Sequence, residues 1–451
     1  MKKSIALLLL LAMILGMAAC AANPTTPADT SAEPKQTTQS AEEATPEAAE
    51  EAEPAPAEEG GTLTLFVQAA DDVRISIMDD YIKPNFDAAF PGWTLEITVI
   101  GTDANTQAAM KTYNATGDLP DVYWSDPNWS YAMVSSGNQL NIKDYITADG
   151  FTDHYNGDIG LMTYKGGVYA LQPGSDAHYY PAFFYNKQIF ADNGIEIPTN
   201  LDELFAACDK LLAAGITPLT LDGVGAYLKM AWVQQIITLK DPSKTQALLD
   251  GEIDWSDPVV LDALQTIETM LDKGYFGDRM AAAARTTAEA REQMISGQVA
   301  MMLDFYWDWT LYADIADVFM LKSDNGENVL TMWGNNIAGY AVFAGSEHVD
   351  MAVKLAEFCC EQEAIYHNEH GTATAFNTGI TPEAGGELQQ KLNDIYDEIT
   401  FKQTTICNCA MDSATASESQ TLFSGFTAGQ YTAAELADEL NILWEANTIF
   451  D

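Results

Sequence analysis

The chain has 451 residues, of which 47% are hydrophobic and 10% aromatic, and it carries 66 acidic against 21 basic side chains for a formal net charge of −45. A balance this acidic argues against nucleic acid, whose phosphates must be neutralised by Lys and Arg, and against adsorption to anionic lipid. The acidic excess otherwise reads as solubility on an exposed surface.

Taken in chain order, residues 7–15 form an apolar run behind Lys2 and Lys3 that ends in Gly16-Met17-Ala18-Ala19-Cys20. A basic start, an apolar run too short for a bilayer and small residues before the break predict a secretory signal over residues 1–19. The cysteine behind those small residues resembles the lipobox of bacterial lipoproteins, although Met17 stands where that pattern usually has leucine. The resemblance implies cleavage before Cys20 and a diacylglyceryl thioether on its sulfur. The alternative is an ordinary signal peptide with a chance cysteine. Residues 20–60 read as an acidic tether. From Ala21 to Gly60 there is no Ile, Leu, Val, Phe, Tyr or Trp, while six prolines and ten acidic residues stand against the single Lys35. Such a segment cannot bury enough apolar surface to offset its ordering entropy. As a flexible coil it reaches about 35 Å.

The body, Gly61 to Asp451, is long enough for two ordinary domains, and no second apolar stretch approaches the ~20 residues of a membrane span. Residues 62–67 predict a buried first strand, 75–90 a helix ending at Pro91-Gly92, and 93–100 an alternating second strand. A helix over 105–114 and the turn Gly117-Asp118-Leu119-Pro120 lead into a short strand over 121–124. Further on, 179–186 reads as a strand, 201–214 as a helix capped by Thr199 or Asn200, and 217–221 as a strand. Asp257-Pro258 starts a helix that runs to 273, with Gly274 as its C-cap. A helix over 288–296, a strand over 299–303, a turn centred on Asn325-Gly326, a strand over 337–343 and a helix from 349 to about 366 follow. From Leu388 onward the chain reads as helical. Strands alternating with helices predict an α/β fold with βαβ units and a largely parallel sheet.

Cysteine usage is unhelpful to a disulfide framework, since five remain beyond Cys20 and four of them fall in two near-adjacent pairs. Cys208 lies on an apolar helical face and reads as core. Cys407-Asn408-Cys409 is a weak metal or redox signal. His367 and His370 with Glu363 could set three ligands on one helix face, but a polar helix end is the preferred reading. No G-x-S-x-G, G-x-x-x-x-G-K, H-E-x-x-H or G-x-G-x-x-G occurs, so no enzyme activity, catalytic residue, metal or cofactor is expected.

Four segments match one family in order. Gly117-Asp118-Leu119-Pro120-Asp121-Val122 looks like its GDLPDV segment, and Tyr164-Lys165-Gly166-Gly167-Val168-Tyr169-Ala170-Leu171 resembles y-x-GkvYalP. Tyr185-Asn186-Lys187-Gln188-Ile189-Phe190, followed by Gly194-Ile195 and Pro198, resembles YNKdlfk-x-x-GI-x-x-P. Gly297-Gln298-Val299-Ala300-Met301-Met302 with Trp307 resembles G-x-aAM and its tryptophan. These are marks of family 1 extracellular solute-binding proteins, the carbohydrate receptors of ABC importers related to maltose-binding protein. One departure is Gln172 before Pro173, where the family often has proline sooner.

The resemblance implies a two-lobed α/β periplasmic-binding-protein-like fold with hinge crossings and a ligand cleft between the lobes. It places residues 61–178 and 337–381 in lobe 1, and 179–336 and 382–451 in lobe 2. Sugars offer a C–H face for aromatic stacking and a hydroxyl rim for polar side chains. The segments matching the family's ligand loops nominate Trp124, Asp126 and Trp129, then Asp176 and His178, then Tyr306 and Trp307, and finally Trp333 and Asn335. If the segment around Trp307 is extended, Tyr306 and Trp309 cannot both share its environment, and one of them faces the core. Trp93, Trp255 and Trp444 read as core. The expected partners are a carbohydrate, an ABC permease and the membrane through Cys20, with a monomeric body at the outer face of the cell membrane. The rivals are the same fold binding a polyamine or peptide, and a surface glycosidase.

Overall fold

The computed structural model describes residues 60–446 apart from 69–71, 102, 156–162, 174–179, 226, 332–337 and 404–410. Its strands in chain order are β1 (Thr62–Gln68), β2 (Thr94–Ile100), β3 (Val122–Ser125), β4 (Thr163–Tyr164), β5 (Gly167–Val168), β6 (Pro181–Asn186), β7 (Thr217–Thr220), β8 (Val299–Phe305), β9 (Ala316–Phe319), β10 (Val329–Thr331), β11 (Gly339–Val342) and β12 (Phe401–Gln403). Two four-stranded sheets carry the architecture, ordered β11-β3-β1-β2 and β7-β8-β6-β9. Helices separate most of the strands, so the α/β class predicted from the alternation is the one observed.

In the first sheet β1 runs parallel to β2, from Thr62 against Thr94 to Gln68 against Ile100, and parallel to β3. β11 joins from far along the chain and is antiparallel to β3. The second sheet departs from the largely parallel expectation. Only β7 and β8 are parallel there, while β6 lies between β8 and β9 and opposes both. Side-chain periodicity reports which face of a strand is buried. It carries no information on the direction of the neighbouring strand.

Each sheet has its own buried interior. Leu63, Leu65, Val67 and Val342 pack with Val353, Leu355 and Cys359 of the long helix Val349–Glu369. Phe183, Leu219 and Met301 pack with Trp232, Cys208 and Trp255 on the second sheet. Trp93 is buried with the first group, and Trp444 packs edge-on against Trp255 with ring centroids 5.9 Å apart. The helices Glu387–Asp397, Ser413–Thr427 and Ala433–Glu445 pack with the second-sheet elements. The reading of residues from Leu388 onward as wholly helical needs one correction, because β12 pairs in parallel with β10. A three-residue strand is too short for periodicity to register.

Local chemistry explains the element ends. The single helix expected over 75–90 is three pieces, Asp72–Ser76, a π turn Ile77–Ile82 and Lys83–Ala89. Pro84 has no N–H to give back to the preceding turn. Just before it the Lys83 N–H reaches the Met78 carbonyl, five residues back, which is the π-type bond. Asn200 is the cap of helix Leu201–Ala213, its Oδ1 accepting from the Glu203 N–H at 3.0 Å, while the Thr199 hydroxyl donates to Glu203 Oε2 at 2.8 Å. Asp257 Oδ1 accepts from the Val259 N–H at 2.9 Å to start helix Pro258–Asp272. Gly274 follows that helix at φ 77°, a conformation that favours glycine.

Candidate functional site

The C-terminal ends of β3 and β8 hold the described candidates. Along β3 the pleat sends Val122 and Trp124 into the interior shared with the long helix and Tyr123 into a smaller cluster on the opposite face. Trp124 is 6% exposed. The Arg74 guanidinium lies over its ring at 3.5 Å from the centroid, and Tyr340 meets it edge-on at 5.2 Å. An arginine over an indole is a cation–π contact in its favoured arrangement.

Behind Arg74 is a buried acid. Glu363, on the helix Val349–Glu369, is 2% exposed and stands 3.6 Å from His367 Nε2. Burial pushes the Glu363 carboxyl up, yet the facing His367 and Arg74 outweigh it and hold the group below its usual range. His370 goes elsewhere, stacked on Tyr366 with ring centroids 4.1 Å apart. Among the described residues no group of three His, Cys, Asp or Glu is placed to hold a metal ion. Cys208, Cys359 and Cys360 are buried free thiols, and Cys407 and Cys409 lie outside the described residues.

Asp126 ends the β3 segment and opens helix Pro127–Ser136. Its carbonyl accepts the N–H groups of Trp129 at 3.1 Å and Ser130 at 2.9 Å, and the Ser130 hydroxyl at 2.7 Å. Trp129 is turned inward, 3% exposed among Phe66, Met110 and Tyr123. Helix Pro127–Ser136 in turn packs against helix Ser413–Thr427, so the β3 end of the first sheet meets a helix of the second-sheet group.

At the end of β8 the chain enters a 3-10 turn, Tyr306–Leu311. The turn separates its aromatics. Tyr306 is wholly buried, its N–H donating to the Tyr180 carbonyl at 2.9 Å and its hydroxyl to Asn393 Oδ1 at 2.8 Å. Trp307 is half-buried and lies flat on Phe305, with centroids 4.3 Å apart and planes 2° from parallel. Trp309 packs over Gly385 and Gly386. The segment is therefore not extended, and the choice expected between Tyr306 and Trp309 does not arise: Tyr306 is wholly buried while Trp307 and Trp309 both pack partly buried on the same cluster.

Charged groups pin this turn. Arg291 donates from Nε to Asp304 Oδ2 at 2.9 Å and from Nη2 to Asp304 Oδ1 at 3.2 Å, and Nη2 also reaches Asp308. The Tyr312 hydroxyl donates to Asp304 Oδ2 at 2.6 Å. Burial, and then the Asp304 carboxylate, push the Tyr312 phenol well above its usual range. Asp304 itself is fully buried.

Asp176, His178, Trp333, Asn335 and the lipidation candidate Cys20 lie outside the described residues. Sequence reading missed Arg74 and Arg291. A signal existed, because the whole chain has only four arginines, Arg74, Arg279, Arg285 and Arg291. In so acidic a chain, an arginine beside an aromatic or acidic strand end marks where a rigid planar cation is needed.

Residues 70–364 match the family model for bacterial extracellular solute-binding protein. The chain belongs to this family. Among individual solute-binding proteins, it is 23% identical over 233 residues to an uncharacterized ABC transporter extracellular-binding protein of Pyrococcus horikoshii, a match covering 51% of this chain and 52% of that protein. The chain thus spans about half the length of that curated relative. Among solved structures, a chitin oligosaccharide binding protein superposes with a TM-score of 0.74 at 19% identity, covering 86% of this chain and 99% of the other. A sugar transporter from Bacillus licheniformis in complex with stachyose superposes with a TM-score of 0.63 at 18% identity, covering 87% and 100%. These likenesses establish that the solute-binding fold extends well beyond the residues of the family match.

Proposed function

We propose that this solute-binding protein captures a neutral carbohydrate between two lobes and hands it to an ABC permease. In this reading residues 61–178 and 337–381 form one lobe and 179–336 and 382–451 the other. Each sheet's separate interior supports that division. The observation that carries the sugar assignment is Trp307, a half-buried indole backed flat by Phe305 on a turn that Arg291 and Asp304 hold rigid. A rigid aromatic at a strand end is what the C–H face of a pyranose stacks on. Asp126 is the polar partner proposed from the facing lobe. Asp176, His178, Trp333 and Asn335 complete the set of contacts, Trp124 acts through the Arg74 laid over it, and the nominated Trp129 and Tyr306, 3% and 0% exposed, support the site from behind. The sugars named for two structural relatives, chitin oligosaccharide and stachyose, support the same class.

A polyamine site would need aromatics boxed by uncompensated carboxylates. Here the acids beside Trp307 are engaged by Arg291, and the face of Trp124 already holds a cation. The protein binds without bond chemistry in this reading, and lobe closure signals the loaded state. Cys20 carries the lipid, residues 20–60 form the tether, and the body is monomeric. No helix of the described residues is long and apolar enough to cross a membrane.

Titration calorimetry against mono- and oligosaccharides, with polyamines and peptides as controls, tests the assignment. A sugar that releases heat at micromolar concentration supports it. Silence across the sugars with binding to an amine or peptide would sink it. Metabolic labelling with a fatty acid, lost in Cys20→Ala, tests the anchor.

A further inference from the structure

The first sheet ends on a strand whose outer edge pairs with no other strand among the described residues. β2 is the terminal member of the order β11-β3-β1-β2, is seven residues long, and among the described residues pairs only with β1. The direction of its hydrogen bonding is set by Thr94, whose N–H donates to the Gly61 carbonyl at 2.8 Å. Backbone polar groups alternate sides along a strand, so Thr94, Glu96, Thr98 and Ile100 bond toward β1. The N–H and C=O groups of Leu95, Ile97 and Val99 therefore point to the open edge.

Those same three residues supply a side-chain stripe. Leu95, Ile97 and Val99 line a groove of about 400 Å³ completed by Phe86, Trp93 and Asp87, with Val99 43% exposed. Proteins guard an open edge with prolines, lysines, bulges or short strands. β2 has none of these and bears one charge, Glu96. A bare polar edge beside an apolar stripe is the geometry by which an extended peptide adds to a sheet.

Charge chooses the occupant. The chain carries −45 overall; the groove wall holds Asp87 and Lys83, the Lys83 ammonium is paired with Asp79 at 2.6 Å, and Glu96 stands on the strand's other face. A second copy would bring like charge to this edge. We propose that β2 is a docking edge for an extended, basic segment of a partner protein, with apolar residues alternating with Lys or Arg. Its backbone would pair with Leu95, Ile97 and Val99, its apolar side chains would enter the groove, and its cations, alternating to the other face, would meet Glu96. The proposal is independent of the sugar reading, because β2 carries none of the nominated ligand residues.

The test uses the full chain and a capped seven-residue peptide alternating lysine with valine or isoleucine, beside a counterpart with glutamate for lysine. Binding of the lysine peptide should slow amide hydrogen exchange at Leu95, Ile97 and Val99 and should weaken as salt rises. Ile97→Pro removes one outward N–H and no bond to β1, and should cut affinity at least about tenfold; because Ile97 packs partly against the first-sheet interior, its melting temperature is measured alongside. If that variant fails to fold, Val99→Lys, which sets a like charge against the peptide, should give the same loss. Absence of protection at the three amides, equal binding by the glutamate peptide, or undiminished binding by a folded Ile97→Pro or Val99→Lys would overturn the proposal. So would concentration-dependent dimerisation of the peptide-free protein that Ile97→Pro abolishes.

Discussion

Arg291 meets Asp304 through two nitrogens, Nε at 2.9 Å and Nη2 at 3.2 Å, and thereby ties the helix Thr287–Ile295 to the end of β8. The fork geometry suits a carboxylate bidentately, and the same Nη2 extends to Asp308 in the turn that carries Trp307. Removing the guanidinium takes the paired cation from a fully buried carboxylate, a change that costs about 3–5 kcal/mol, although the Tyr312 hydroxyl still donates to it. Arg291→Ala should therefore lower unfolding stability by that order in a denaturant titration. Arg291→Lys should restore part of it, since a point charge replaces one arm of the fork. A loss below about 1 kcal/mol for the alanine variant would show that the pair does not hold the turn.

Trp307→Ala should weaken sugar binding by about 2–4 kcal/mol, the range of central interface aromatics. Trp93→Ala, in the first-sheet interior, should lower stability while sparing affinity in the folded protein. Calorimetry on both variants separates the two roles. Unchanged affinity in Trp307→Ala would remove that residue from the site.

Glu357 should make stability pH-dependent in the mildly acidic range. Burial, and then the nearby Asp149 carboxylate, raise its group from 4.5 to about 7. A raised folded value means the contribution is fully present below 4.5, where both states hold the proton. It is lost as pH climbs toward 7, because the unfolded chain releases that proton first. Glu357→Gln should thus gain on the parent between pH 4.5 and 7 and hold a constant lead above. A stability difference flat across that window would refute the assignment.

Lys229 acts at the other end of the scale. Burial lowers its ammonium from 10.5 to about 8, with Asp222 opposing, and its Nζ donates to the Gly223 carbonyl at 2.7 Å and Ser424 Oγ at 2.9 Å. For a depressed group the contribution is complete above 10.5 and declines as pH falls to about 8, while the unfolded chain takes up the proton that the folded state refuses. Lys229→Met should flatten the decline between pH 10.5 and 8 in chemical unfolding. An unchanged slope would mean the amine is solvated in solution.

Helix Pro258–Asp272, strand β1 and the buried Cys208 were legible because each announces itself locally, through a cap, a run of apolar side chains or a helical stripe. The signal and lipid-anchor reading of the first 60 residues rests on pattern of the same local kind and belongs to the proposal. Four short motifs in order pointed to the solute-binding family that the match over residues 70–364 shows. Which aromatic meets solvent was not legible. Tyr306 and Trp307 are neighbours of similar character, yet the 3-10 turn buries the first and half-exposes the second. Nor could any local pattern bring Arg74 over Trp124, or orient β6 against both β8 and β9. Periodicity and capping act within a few residues of the chain. Direction, stacking and charge pairing belong to residues far apart in sequence, so only the tertiary structure decides them.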